Sequence, residues 1–495
     1  MSAPNDVRLY EDGTGFVLHS ASEPPKRVPL KAVIPGFHLL EHPCSRLVSA
    51  RLEDSEVRLR LGDDTTWSAA LSRLTEQTPA PSADAPPEVD LLIQDATLMR
   101  GPAGDPDNPL DLVEPGAVAI RGSRVVAAGP VEQVCAETRL TPNGARIDAG
   151  GKLVSPGLVD PHTHVVFAGD RSHEFALRAR GATYLEIAAA GGGIRYTVAA
   201  TRQASDEELE RSAALRIGAL VARGVTTAEA KSGYGLTVAD ELRILEVIGR
   251  LDRTLPIDLS PTLLGAHVVP AEYADRRHQY VELVCAEMIP RAAAGLAEAV
   301  DVYCDPSAFD LEESRRILET AREHGLALRI HAEQFENLES AAMAARLGAV
   351  SADHLEAVSA ASIAAMARAG TVAVLLPGAA LTLRCPWPPA AALISAGVEV
   401  ALGTDLNPGT SMTENLHLMM SLGCMQMGMT VEQVWRAVTT SAARAACRPD
   451  AGRLAPGAPA DLVLYDCKHY AAIPYHLGGN HVQTVIKSGR IAWTR

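Results

Sequence analysis

The sequence predicts an α/β protein: a (β/α)8 barrel, a small composite β-sandwich assembled from both flanks, and an extra, mostly β unit at the N-terminus. Three observations lead there. Eight strand-like segments alternate with helical ones over ~250 residues, the arithmetic of a (β/α)8 barrel. The polar residues of that region fall at the C-terminal ends of the strands. Two short β-patterned blocks flank it, and blocks of that size rarely stand alone.

Along the chain, residues 1–75 alternate weakly, as in EVRLRLGDD, where Val57, Leu59 and Leu61 recur at period two. The run TPAPSADAPP is a Pro/Ala/Ser linker that cannot pack a core. Strand-like patterns return in VDLLIQDATL and GAVAIRGSRVVAAG, and again near the C-terminus in ADLVLYD and TVIKSGRIAW. The expected organisation is an accessory unit over 1–77, a linker over 78–87, the sandwich over 88–153 with 450–495, and the barrel over 154–449. Barrel strands are expected at 153–159, 225–230, 257–264, 300–304, 327–330, 350–353, 372–376 and 399–402. Between them, Ser205-Asp206-Glu207-Glu208 is a capping box that opens a helix stopped by Gly224. Gly325 and Gly370 end two more. The long crossover 167–202 carries Gly191-Gly192-Gly193 and is expected to be an active-site loop.

Composition narrows the function. With 495 residues, 47% hydrophobic and 21% charged, the chain has the ordinary globular mix. A net charge of −15 repels phosphate backbones, which argues against nucleic acid as a partner. The N-terminus has no apolar signal-like core, and the most apolar stretch, 371–380, is too short to span a bilayer. No membrane partner is expected. Eight cysteines without a C-x-x-C read as reduced thiols, hence a cytoplasmic location.

The chemistry gathers at the strand ends. Strand one ends in Asp160-Pro161-His162-Thr163-His164. Along an extended chain, side chains two residues apart share a side, so His162 and His164 both point into the barrel mouth. Strand two ends near Lys231, strand three at His267, strand five at His331, strand six at His354 and strand eight at Asp405. His162, His164, His331 and Asp405 make a three-nitrogen, one-oxygen shell for one divalent metal, Zn2+ or Fe2+/Fe3+. A lone buried His is usually a satisfied core residue, but five of them on four strand ends would be costly without a metal or substrate.

The entry strand, VSPGLVDPHTH, and the closing segment, LAPG followed by ADLV, resemble those of the amidohydrolase superfamily. The series HTHVVFAGDR, AAAGGGI, AKSGYG, LLGAH, IHAEQF, SADHLE, LLPGAA, GTDLNPGTS and IPYHLGGN is similar to the imidazolonepropionase family within it. The resemblance covers about 88–495. It implies hydrolysis of 4-imidazolone-5-propanoate to N-formimidoyl-L-glutamate, in histidine degradation. It carries the metal role onto His162, His164, His331 and Asp405. It makes Asp405, His354 and His267 catalytic, with Arg171 on the substrate's propionate. Tyr234, His267 and Gln334 become further substrate contacts, and Asn407, Gly409 and Thr410 contacts to the product-like end. Its small-molecule partner carries a carboxylate; a homodimer is left open.

Structural alternatives accompany these roles. Arg171 could instead form a surface salt bridge with Asp170 or Glu174, Tyr234 could be a loop anchor, and Asn407-Pro408-Gly409-Thr410 could be only a turn. Strand four ends at Cys304-Asp305 without the lysine that some relatives carboxylate to bridge two metals, so one metal is expected. Where deaminase relatives place a proton-shuttling Glu, this chain has Gln334, which cannot titrate, and Glu333 is expected to face away. The rival readings are another cyclic amidase or aminohydrolase, and an inactive interaction protein on the same fold. Arg171 and the Asn407–Thr410 stretch weigh against the first, and the complete ligand set against the second.

Overall fold

A computed structural model describes residues 86–102, 105–182, 186 and 192–495, and six strand segments within the first 85 residues. Chain contacts divide it into two compact units, Met1–Ala85 and Pro86–Arg495. In the first unit, Asp6–Leu9, Gly15–His19 and Lys26–Pro29 form one antiparallel sheet, and Leu47–Glu53, Glu56–Leu61 and Thr66–Ala70 form another. Most of the expected linker, and Gly191 of the glycine run, lie outside the described residues.

The second unit contains the barrel. Its eight parallel strands, in spatial order, are Leu158–Asp160, Val225–Lys231, Asp258–Ala266, Ala299–Cys304, Ala327–Ala332, Ser351–His354, Val372–Leu375 and Val400–Leu402. They are called the first to eighth strands below. The first and last meet through a parallel bridge from Thr163 to Leu406, where Asp405 N–H donates to the His162 carbonyl at 3.1 Å. Every residue of the second strand is buried, as fits parallel strands covered by helices. The crossover helices follow the expected signals. Ser205 and Glu208 cap Asp206–Val221 reciprocally, and Gly224, Gly325 and Gly370 all adopt positive φ beyond helix ends.

The flanks complete one mixed sheet. Leu153–Pro156 pairs in parallel with Glu88–Met99 and antiparallel with Leu462–Tyr465 from the C-terminal flank. Val118 and Ile120 pack in one apolar cluster with Leu462 and Ile486, while Ala117 and Ala119 face a second cluster with Val89 and Leu92. That alternation is the period of a pleated strand. Lys487 ties the sheet to the barrel, with Nζ 2.7 Å from Asp461 and 2.5 Å from Asp258.

One sequence expectation needs correction. The segment 153–159 is not one barrel strand. Leu153–Pro156 belongs to the flanking sheet, and only Leu158–Asp160 enters the barrel. Val154, Ser155 and Pro156 therefore leave the barrel range expected to start at 154. The break lies at Gly157, whose N–H donates to Asp461 O and whose backbone presses on Thr226. A Cβ there would lie 2.1 Å from Thr226 Oγ1, so no larger residue fits without movement.

We propose that residues 1–77 are an accessory unit that the barrel does not need in order to fold. The separate contact units support this. A chain beginning at Pro86 is expected to be soluble and to unfold cooperatively within a few degrees of the full chain, measured by thermal circular dichroism. An insoluble or non-cooperative product would contradict the division.

Candidate active site at the barrel mouth

The expected site residues converge. His164, Arg171, Tyr234, His267, Gln334, His331, His354, Asp405, Asn407, Gly409 and Thr410 all line one cavity of about 440 Å³. His162 sits directly behind its wall, fully buried. The crossover expected to be an active-site loop does reach the cavity, but its cavity-lining part past residue 193 is a helix, Ile194–Gln203.

Four imidazoles crowd the centre. The His162 ring centroid lies 4.6 Å from that of His331, 5.3 Å from His164 and 5.9 Å from His354. The Nε2 atoms of His162 and His164 are 3.5 and 3.6 Å from the same oxygen of Asp405. Donor atoms of His162, His164 and Asp405 form one compact set, and those of His162, His331 and His354 another. Burial holds His162 and His164 well below the usual histidine range, and lowers His331 to about 4 despite Asp301 beside it. Neutral imidazoles are the form that binds metal. His354 differs: burial opposes its charge, but Glu356 at 3.6 Å and then Asp405 outweigh burial and raise its pKa. Burial pushes Asp405 up to about 6.

Behind the imidazoles lies a buried charge cluster. Lys231 Nζ is 2.9 Å from Glu229, 2.7 Å from Asp301 and 3.8 Å from Asp353, and all four side chains are fully buried. Asp353 is 2.6 Å from Nδ1 of His162, and Asp301 is 3.0 Å from Nδ1 of His331. With Nδ1 held, each ring turns Nε2 toward the cavity side. Lys231 is thus a structural cation of the second strand. The fourth strand carries no lysine, as its sequence, AVDVYC, requires.

These residues fit a divalent cation. His162 Nε2 is buried without a hydrogen-bond partner among the described residues. Glu229, Asp301 and Asp353 surround the buried cations Lys231 and Arg329, and Asp405 adds a further buried carboxyl group against the imidazoles. Glu333 takes no part: its backbone has positive φ, and its Oε1 accepts from Ala341 N–H and Ser362 Oγ, away from the cavity.

The loops are braced by carboxylates and amides. Arg171 does pair with Glu174, at 2.9 Å from Nε and 2.8 Å from Nη2, but both side chains are buried, with Arg171 on the cavity wall, rather than on the surface. Asp170 instead accepts from Ser172 N–H. Glu174 also accepts from Gly193 N–H, tying the crossover helix to Arg171. A Cβ on Gly409 would lie 2.6 Å from Arg171 Nη1, which explains the glycine. Asn407 does build a turn, accepting from Gly409 and Thr410 N–H at 2.8 Å each, and that turn forms part of the wall. Sequence reasoning missed Glu241, which accepts from Gly233, Gly235 and Leu236 N–H and so shapes the loop that presents Tyr234. Its only signal was a glutamate on the buried side of helix Val238–Thr254. Gly233 O in turn takes His267 Nδ1 at 3.0 Å.

Comparison with known proteins agrees with this geometry. Residues 173–492 match the sequence profile of the amidohydrolase family. Imidazolonepropionase of Geobacillus sp. (strain WCH70) is 46% identical over 387 residues, covering 78% of this chain and 91% of its own. That of Myxococcus xanthus (strain DK1622) is 48% identical over 381 residues, covering 76% and 90%. Among solved structures, 5-methylcytosine deaminase from Klebsiella pneumoniae superposes with a TM-score of 0.63 at 19% identity, covering 82% of this chain and 97% of its own. A zinc-bound adenosine deaminase from Xanthomonas campestris gives 0.58 at 20%, covering 82% and 93%. At such identities the two deaminases share the fold alone.

Proposed function

The chain belongs to the amidohydrolase family and, within it, to the imidazolonepropionases; from that membership we propose how its barrel mouth hydrolyses 4-imidazolone-5-propanoate to N-formimidoyl-L-glutamate. The observation that carries the assignment is a buried arginine, Arg171, on the wall of the same cavity as the His–Asp cluster. A substrate with a carboxylate tail and a hydrolysable ring amide matches both ends.

The reaction adds one water across the ring amide. The carbon–nitrogen bond breaks, the water oxygen becomes a carboxylate oxygen, and both water protons end on the formimidoyl nitrogens. His162, His164, His331 and Asp405 would hold a divalent ion, which would supply Lewis acidity toward the carbonyl and lower the pKa of water to about 7. We propose a single ion, Zn2+ or Fe2+/Fe3+, because the fourth strand lacks a lysine and Lys231 is spent on three carboxylates. Asp405 accepts the attacking water's proton and delivers it to the leaving nitrogen. His354, with its raised pKa, donates to the carbonyl oxygen as negative charge develops there. His267 and Tyr234 flank the ring, and Gln334 hydrogen-bonds its edge. Arg171 receives the propionate, and the turn of Asn407, Gly409 and Thr410 lies beside Arg171 to receive the glutamate product. A cytoplasmic setting is supported by seven cysteines among the described residues, all free thiols.

Direct assay tests the substrate: the ultraviolet absorbance of imidazolone propionate should fall on addition of enzyme, and a flat trace would refute the assignment. Elemental analysis of fully active protein should find one divalent ion per chain; a need for two would overturn the mononuclear reading. Arg171→Met keeps much of the apolar stem and removes the guanidinium. Charge-assisted hydrogen bonds of this kind are worth about 1.5–3 kcal/mol each, so kcat/KM should fall by roughly 10²-fold with metal content unchanged. Wild-type kinetics in that variant would mean that Arg171 serves only Glu174.

A further inference from the structure

We infer that Tyr303 is a positioning residue: its hydroxyl holds the Gln334 side chain so that the amide NH2, rather than the amide oxygen, faces the reacting ring. The inference rests on the imidazolone reading above and specifies what the site demands of that ring.

Tyr303 lies on the fourth strand directly opposite His331 on the fifth, so both side chains rise into the mouth together. Its ring centroid is 5.6 Å from that of His331 and 6.3 Å from that of His267, and it lines the same cavity. Three residues beyond His331 the chain brings Gln334 back over the strand ends, where Tyr303 Oη donates to Gln334 Oε1 at 2.8 Å. Gln334 is buried against the cavity, with 7% of its surface exposed.

A carboxamide has an acceptor end and a donor end, and a terminal amide torsion is broad and roughly two-fold. Unheld, Gln334 would present either end to a ligand. With Oε1 engaged by the tyrosine hydroxyl, the amide is held against flipping and turns its two N–H donors toward the cavity, while Oε1 keeps one further lone pair. A glutamate at this position would offer lone pairs in every orientation. The held glutamine therefore selects a ring that presents an acceptor at that edge, such as the carbonyl oxygen or an unprotonated ring nitrogen of a cyclic amide. A ring presenting N–H there would meet donor against donor and leave buried polar groups unpaired, which is the strongest form of discrimination available to a hydrogen-bonding site. The pair also explains how the site works without a titrating group at 334: the residue recognises the ring, and proton transfer is left to Asp405.

A double-mutant cycle tests this with imidazolone propionate as substrate, using wild type, Tyr303→Phe, Gln334→Ala and the combination. Tyr303→Phe keeps the ring and its packing and removes only the hydroxyl. It should raise KM and lower kcat/KM about three- to tenfold, the worth of one net hydrogen bond, with kcat nearly unchanged. In the Gln334→Ala background the same substitution should have no further effect. If Tyr303→Phe lowers kcat/KM by the same factor with or without Gln334, Tyr303 acts on its own and the inference fails while the substrate assignment stands. Absence of wild-type turnover would instead overturn the assignment, and the inference with it.

Discussion

The buried ammonium of Lys231 is the constraint on which the rest of the site depends. It lies at the centre of three carboxylates in a barrel interior without access to solvent. Two of those carboxylates, Asp301 and Asp353, each hold one imidazole by its Nδ1. Burying charge costs several kcal/mol per ion unless every partner is satisfied. The cluster offsets that cost with close ion pairs, and it converts the pairs into geometry: His331 and His162 cannot turn without breaking a carboxylate contact. Burial raises Asp353 to about 7, whereas His331 first and Lys231 next hold Asp301 well below the usual carboxylate range against burial. The two histidines are therefore oriented by one ammonium through two different acids.

Barrel closure places the remaining members of the His–Asp cluster. The first and last strands meet where Asp405 N–H reaches the His162 carbonyl, and His164 N–H reaches the Leu406 carbonyl. The seam of the sheet thus brings His162 and His164 from one end of the chain's barrel beside Asp405 from the other. Outside this centre, the loops are not left loose. Glu241 gathers three backbone N–H groups under Tyr234, Glu174 joins Arg171 to the crossover helix, and Asn407 closes its own turn. Each brace is a buried polar side chain satisfied by backbone, which fixes loop shape more strictly than apolar packing alone.

Much of this was legible in the order of residues. The helix caps at Ser205 and Gly370, the alternation of strands and helices, and the histidines at strand ends are local patterns, and local patterns survive in a linear sequence. Two kinds of feature were not legible. One is close approach between distant segments: the 153–159 run has a continuous strand pattern, and only the contact of Gly157 with Thr226 shows that it crosses from one sheet to another. The other is partnership across strands. His162 and Asp353 are 191 positions apart, and nothing near either residue announces the other. Tyr303 went unnoticed for the same reason, since it acts on a side chain 31 positions away that folding alone brings near.

One buried cation orients two of the histidines proposed to bind the metal, His162 and His331, through their carboxylates. The most direct measurement is the affinity of the Lys231→Met variant for its divalent ion, by competition with a chelator, on protein shown to be folded by circular dichroism. Partners that hold a metal's ligands directly typically change its affinity by about 10- to 100-fold. Lys231 acts one step further out, through Asp301 and Asp353, so a loss of up to that size is expected with His162, His164, His331 and Asp405 all intact. Wild-type affinity in the folded variant would show that the four ligands hold their geometry unaided, and would contradict it.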